Sequence, residues 1–444
     1  MGMHRTKSLI FSVLLFLWSE RAFAFRYHGR VALGVYNSTE EFKNPGASSS
    51  HNDVRNLSGR FYLGLSELGS PKLDIVADVR DKHEFFGQLT KDQLSLEERN
   101  TFQVRQLSVG DPQVFKKGFY QLGRFSVLDA GSVFNDGMEI GWRTGGWKSG
   151  LFAGLNAKRH EQSYVQSNPE SKQGGLYLTY ESKGGGWSRV FRLTHAFVQQ
   201  MYESDVDRQF VYQNLLYQWG LYNRVLTLLY LDMVPRTNVQ NALLSLQNRI
   251  TTRVENQLNL SGVDVIEYQR NQGVREKLDP SPYQEFKDKV TFRQTPRFSW
   301  ILQGRYGIRK IDELKRTEGA VGIGLPGFFS KRWDMFLLLG SREEFNSKGA
   351  FLNYKVGYFS DKRELTLGID FATEKYEDGK KLNPIVVELS ASQQISKKFF
   401  GILSLQGATD EEVTILGAFM RLGYRFGNRE IPPLRDGAAP RGQL

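Results

Sequence analysis

Cysteine is absent from all 444 residues, so no disulfide holds this chain and no lipid-modified cysteine anchors it. Long apolar runs are missing too. Beyond the first two dozen residues, nothing approaches the roughly 18–20 consecutive apolar residues of a membrane-spanning helix. Histidine is scarce: His4, His28, His51, His83, His160 and His195 are scattered, and none shows the spacing of paired metal ligands. Ser188 precedes His195, but no orienting carboxylate marks a nucleophile, and His195 reads as a surface or lumen side chain. Lys183-Gly184-Gly185-Gly186 lacks the spacing of a phosphate loop and reads as a hairpin turn. The sequence therefore predicts no enzyme and no cofactor. Hydrophobic residues make up 40%, short of the roughly 45–50% of an ordinary globular domain, so a large soluble core would be starved of aliphatics.

What is present begins with an export signal. Arg5 and Lys7 precede the apolar run Ser8–Trp18, and Ala22-Phe23-Ala24 offers a small-x-small cleavage site. Residues 1–24 are thus expected to be removed, leaving Phe25 first; a retained anchor helix is the alternative. The formal charge is +11, and losing three basic residues and Glu20 with the signal leaves +9. Export separates the chain from nucleic acid, so this charge needs another use.

Hydrophobicity alternates with a period of two almost throughout, which makes the chain all-β. Leu73, Ile75, Ala77 and Val79 share one face, while Asp74, Asp78 and Arg80 share the other. Phe298, Trp300, Leu302, Tyr306 and Ile308 oppose Arg297, Ser299, Gln303, Arg305 and Arg309. Successive side chains leave a strand on opposite sides, so each segment has an apolar and a polar face. The phase slips near Arg105 within Phe102–Val127. In Asn238–Arg270, Leu243, Leu246, Ile250 and Val254 also fit helical spacing.

Connections alternate between tight and long. Gly69-Ser70, Thr144-Gly145-Gly146, Tyr222-Asn223, Thr295-Pro296, Ser360-Asp361-Lys362 and Ser396-Lys397 are tight. Between them lie Ser38–Arg55, Gly87–Asn100, Arg159–Gln173, Asn271–Tyr283 and Glu377–Pro384. Turns at one end and loops at the other predict a closed antiparallel up-and-down transmembrane barrel over residues 25–426. The count is about 22 strands, with 18 or 20 as alternatives. A soluble propeller, sandwich or solenoid would share the period, but not the aromatics near strand ends, such as Trp142, Trp147, Tyr180, Trp219, Trp333 and Tyr358.

Leu122-Gly123-Arg124, Asp129-Ala130-Gly131 and Asp136-Gly137-Met138-Glu139-Ile140-Gly141-Trp142-Arg143 together resemble the Gly-Arg…Asp-Gly stretch of Gram-negative porin-type barrels. Alginate-export-type channels are among these. Asp-Gly opening a strand is also ordinary turn chemistry. The last strand, with Leu422, Tyr424 and Phe426, is similar to the C-terminal strand that such barrels present to the barrel-assembly machinery. It departs from that pattern because eighteen residues, GNREIPPLRDGAAPRGQL, follow Phe426. Residues 427–444 are expected to form a disordered periplasmic tail. The resemblance implies the outer membrane, with lipid and lipopolysaccharide as neighbours and a homo-oligomer as an option.

If the apolar faces meet lipid, the other faces line the bore. Arg30, Arg60, Arg80, Arg143, Lys148, Lys158, Arg192, Arg297, Arg305, Arg309, Lys355, Arg421 and Arg425 fall there, against Asp74, Asp78, Glu139, Glu181, Asp370 and Glu388. An excess of arginine concentrates anions in a low-dielectric bore. Cross-strand pairing with the acids, or contact with lipid headgroups at the rims, would use the same residues structurally. Passive diffusion of small hydrophilic, anionic solutes is the expected function. A non-conducting barrel for adhesion or anchoring, or an exporter of acidic polysaccharide, are the alternatives.

Overall fold

The computed structural model describes residues 26–43, 50–68, 73–86, 100–157, 167–183, 189–264 and 282–428. The signal, Lys158, the tail beyond Asn428 and most of the 271–283 segment lie outside them. In chain order the strands are β1 (Arg26–Phe42), β2 (Ser50–Leu68), β3 (Leu73–Phe86), β4 (Asn100–Val114), β5 (Gly118–Val127), β6 (Val133–Thr144), β7 (Trp147–Ala157) and β8 (Ser167–Lys183). They continue as β9 (Arg189–Tyr202), β10 (Asp205–Trp219), β11 (Asn223–Val234), β12 (Asn238–Arg249), β13 (Val254–Val263), β14 (Tyr283–Thr295), β15 (Phe298–Arg309) and β16 (Lys315–Pro326). The remainder are β17 (Trp333–Glu344), β18 (Ser347–Phe359), β19 (Arg363–Tyr376), β20 (Lys381–Leu382), β21 (Ile385–Gln394), β22 (Phe399–Thr409) and β23 (Val413–Gly427).

The two-residue β20 is an appendage of β19, so the wall has 22 strands. Each wall strand pairs antiparallel with its sequence neighbour, and β1 also pairs with β23, which closes the cylinder. Leu33 accordingly stands opposite Gly59 on one side and Leu422 on the other. Closure removes every sheet edge and satisfies the wall's backbone groups internally, as hydrocarbon requires. At a strand spacing of about 4.8 Å and a tilt near 40°, a wall of this count is roughly 40 Å across.

The faces separate as the period requires. Leu302, Val321 and Leu339 lie side by side on the outside and are about half exposed, while Ile301, Ala320 and Leu338 are buried on the inside. Aromatics ring the turn end. Trp147 meets Tyr180 at 4.7 Å, Tyr217 meets Trp219 at 5.1 Å, Trp333 meets Tyr358 at 5.3 Å and Phe399 meets Tyr424 at 4.7 Å. Rings with an apolar body and a polar tip suit a headgroup boundary. The outward set on β23 includes Leu422, Tyr424 and Phe426, and Phe426 stacks on Phe61.

Local irregularities explain the difficult stretches. Asp78 pairs with Gln106 but Val79 pairs with Val104, so Arg105 is the extra residue of a bulge where the phase slips. The described part of Asn238–Arg270, as far as Asp264, is not helical. It contains β12 and β13, with Leu243 facing in and Leu246 facing out. Ser38–Arg55 is largely strand rather than loop, because β1 and β2 stay paired as far as Phe42 and Ser50. The loop rim is also less uniform than expected: β9–β10 and β17–β18 close there in turns as tight as those at the other end.

Candidate functional site: the inner wall

The basic residues of the inner wall fall into two groups that sequence alone does not distinguish. On β23, β1, β2 and β3 they form a strip. Arg30 stands opposite Arg425 and Tyr62, Arg60 opposite Ala32 and Arg80, and Arg421 opposite Gly34. Ala32, Gly34 and Gly423 are small, which leaves room for these long side chains to extend over the wall. Arg60 closes a two-pronged contact on Asp78, with Nε donating to Oδ1 at 2.9 Å and Nη2 to Oδ2 at 2.6 Å. Arg425 lies over Phe400 at 5.2 Å, and Arg421 over Phe419 at 5.4 Å. Among the described residues no carboxylate pairs with Arg30, Arg80 or Arg421.

Elsewhere many of the bases are paired with acids. Arg305 reaches Glu285 at 2.5 Å and Glu318 at 3.9 Å. Arg309 pairs with Asp312, and Arg192 with Asp129 at 2.7 Å. Arg143 stacks on Phe119 at 4.6 Å. Further bridges come from residues the sequence did not single out: Arg208–Asp232, Arg249–Glu255–Arg293, Arg316–Glu344 and Arg342–Glu374. Lys355 faces inward on β18 between Phe336 and Gly368. Asp370 accepts from Asn353, and Glu139 accepts from the Tyr177 hydroxyl. Asp74, Glu181 and Glu388 also have the inward phase of their strands. Arg297 is the exception: it is exposed in the β14–β15 turn, because β15 begins one residue later, at Phe298.

The second feature is a chain segment folded into the bore. Between β5 and β6, residues Leu128–Ala130 form one 3-10 turn, and Gly131 continues it at φ 76°, a left-handed conformation suited to glycine. Phe125, Val127, Ala130 and Val133 bury themselves against inward residues of β7 to β10, among them Phe152, Tyr177, Val198 and Phe210. Asp129 ties the turn down. It accepts from Lys148 Nζ at 2.6 Å, from Arg192 Nη2 at 2.7 Å and from Thr179 Oγ1 at 3.1 Å. Burial raises the Asp129 carboxyl, but Lys148 and Arg192 outweigh it and hold the group below its ordinary range. Tyr230 Oη donates to the Gly131 carbonyl at 2.9 Å.

This turn is built by the motif that carried the family resemblance. Gly123, at φ 105°, sits where a Cβ would lie 2.3 Å from the Leu107 carbonyl oxygen. Asp136-Gly137 is not a turn. It lies within β6, where Gly137 passes so close to Ala153 that a Cβ would meet its carbonyl at 2.1 Å.

Closed register, apolar exterior and aromatic rim define a closed antiparallel β-barrel of 22 strands whose outer face suits a membrane. The chain is similar in structure to Acinetobacter baumannii OccAB4, at 8% identity and a TM-score of 0.41, covering 90% of this chain and 98% of that one. It is similar also to Pseudomonas aeruginosa OccK7 (OpdD), at 7% identity and a TM-score of 0.43, covering 91% and 100%. The P pilus usher (PapC) translocation pore matches at 10% identity and a TM-score of 0.40, covering 89% and 99%. No protein-family model and no curated protein matches the chain.

Proposed function

We propose that the chain is an outer-membrane channel through which small hydrophilic anions diffuse. The reading is carried by one observation: among the described residues no carboxylate pairs with Arg30, Arg80 or Arg421, which lie together on one inner wall, while the bases of β12 to β19 are mostly paired. Paired charges cancel at a distance, so the field inside the bore is dominated by the strip. Guanidinium forks suit carboxylate and phosphate oxygens, and Tyr62 and Ser58 beside them add hydroxyls. The turn at 128–132 occupies part of the bore opposite β7 to β10, which favours small solutes over a wide polymer conduit.

The experiment is reconstitution in planar bilayers with a salt gradient. A reversal potential of the sign for anion preference, shrinking as ionic strength rises and the Debye length shortens, is the expected result. Cation preference, or no conductance at all, would overturn the reading.

A further inference from the structure

We propose that the outer wall carries a binding site for one anionic phospholipid, with an acyl chain lying across β5 to β8 and the headgroup on Lys116 and Lys117. Two rows of outward residues cross these strands in register. Gly118, Trp142, Ser149 and Leu178 form the row nearer the turns, and Tyr120, Ile140, Leu151 and Leu176 form the next. Trp142, Ile140, Leu151 and Leu176 are about half exposed, whereas Phe119 and Tyr177 are buried on the bore side. Gly118 and Ser149 are small among large neighbours, so the wall dips there. The resulting groove holds about 740 Å³, within the roughly 300–1,000 Å³ usual for a small-molecule site.

The groove reaches Val114 and Gly118, and Phe115-Lys116-Lys117 is the turn that joins them. Phe115 at φ 49° and Lys116 at φ 72° are left-handed, a conformation that residues with a Cβ adopt at a cost. Two other tight turns place glycine in that conformation, Gly145 at φ 57° and Gly220 at φ 68°. Phe115 is 87% exposed, so packing within the barrel does not offset the strain. Lys116 and Lys117 are exposed as well, and neither meets a carboxylate among the described residues.

The combination selects the occupant. A bare acyl chain would cover the two rows and leave both ammonium groups unused. A soluble anion would meet the lysines and leave the groove empty. A phospholipid with a net negative headgroup does both, its phosphate against the lysines and its chain over Tyr120, Ile140, Leu151 and Leu176. Basic side chains at a membrane surface favour anionic lipid, and an apolar neighbour such as Phe115 adds to the hold. Ser149 stands beside Trp142, at the aromatic girdle, where its hydroxyl can donate to an ester carbonyl of the lipid.

Native mass spectrometry of the full chain tests the site, with dioleoyl phosphatidylglycerol and dioleoyl phosphatidylcholine as probes. The two share their chains and differ in headgroup charge. One phosphatidylglycerol should be retained per barrel, ahead of further copies and ahead of phosphatidylcholine, and glycerol phosphate should not displace it. Lys116→Gln with Lys117→Gln should lower that retention roughly ten- to thirtyfold. Ser149→Leu, which fills the dip, should lower it too. Lys397→Gln with Lys398→Gln is the control and should change nothing. Those two lysines are also exposed in a turn, but a Cβ on the outward Gly401 above them would already lie 3.4 Å from Leu422. Equal retention of the two lipids, an equal loss in the control variant, indifference to Ser149→Leu, or dimer masses in place of lipid adducts would overturn the site. Tryptophan quenching in the unsubstituted protein answers even if the variants fail to fold. Phosphatidylglycerol with brominated chains should show a component saturating near one lipid per barrel in phosphatidylcholine nanodiscs. Quenching that rises in proportion to added lipid for both headgroups would sink the proposal.

Discussion

Arg124 and Asp136 stand opposite each other in the β5–β6 register and close a two-pronged contact, Nε to Oδ1 at 2.6 Å and Nη2 to Oδ2 at 2.5 Å. Both side chains are under a tenth exposed, and Ser167 Oγ donates to the same Asp136 carboxylate at 2.7 Å. The pair clamps the two strands just before the chain turns into the bore. Arg124→Ala should therefore cost about 3–5 kcal/mol, the usual penalty for orphaning a buried charge. The shift in urea midpoint between folded and unfolded bands reads it. Asp136→Asn together with Arg124→Gln should recover much of the loss, because neither charge is then left alone.

Asp129 makes a different prediction, about the bore rather than the wall. Asp129→Asn removes the anchor of the 128–132 turn and leaves Lys148 and Arg192 without that carboxylate. Open-channel noise should rise as the turn loosens, and anion preference should strengthen by the one negative charge removed. In the unsubstituted protein the lowered carboxyl range sets the pH window. A depressed acid contributes fully above its unfolded value of about 3.9 and is lost only as pH falls through its lower folded value. Noise should thus stay flat from neutral pH down to about 4, in single-channel records.

The architecture was legible because the period of two needs no knowledge of partners. It marked both faces of β3 and β15, the slip at Arg105 and the closing strand. Pairing across strands was not legible, because Arg305 meets Glu285 and Glu318 only once three strands lie in register. The inward turn was hidden for a related reason. Phe210, Tyr212, Leu228 and Tyr230 are apolar residues on the bore side, and alternation cannot tell lipid from a folded-in segment as the thing they meet. Arg297 misled because alternation was carried one residue past the strand into the Pro296 turn. His195 faces outward on β9, and its neighbours Leu193 and Phe197 already carry that answer in the sequence.

The assignment of faces is itself open to a paired substitution. Leu403 on β22 is outward and exposed among Leu405 and Met420, while Ser404 faces the bore. Leu403→Arg should destabilise by about 2–4 kcal/mol if it lies near the membrane midplane, and Ser404→Arg by far less. Folding yield into liposomes with denaturant titration compares them. Equal costs would mean that the two faces see the same solvent.

The strip on β23, β1, β2 and β3 makes the sharpest functional prediction. Among the described residues Arg30, Arg80 and Arg421 have no carboxylate to orphan, so replacing all three with Gln should leave stability within about 1 kcal/mol. Selectivity should respond instead, because three positive charges leave a low-dielectric wall at once. The reversal potential in a salt gradient should move towards zero, with single-channel conductance for a small carboxylate falling more than for chloride, since only the former uses the fork. Arg305→Gln is the matched control. Its guanidinium is already neutralised by Glu285 and Glu318, so losing it leaves those acids uncovered and should shift the potential in the cation direction while also lowering stability. If the strip variant and the Arg305 variant behaved alike in both measurements, pairing would not decide which arginines set the field.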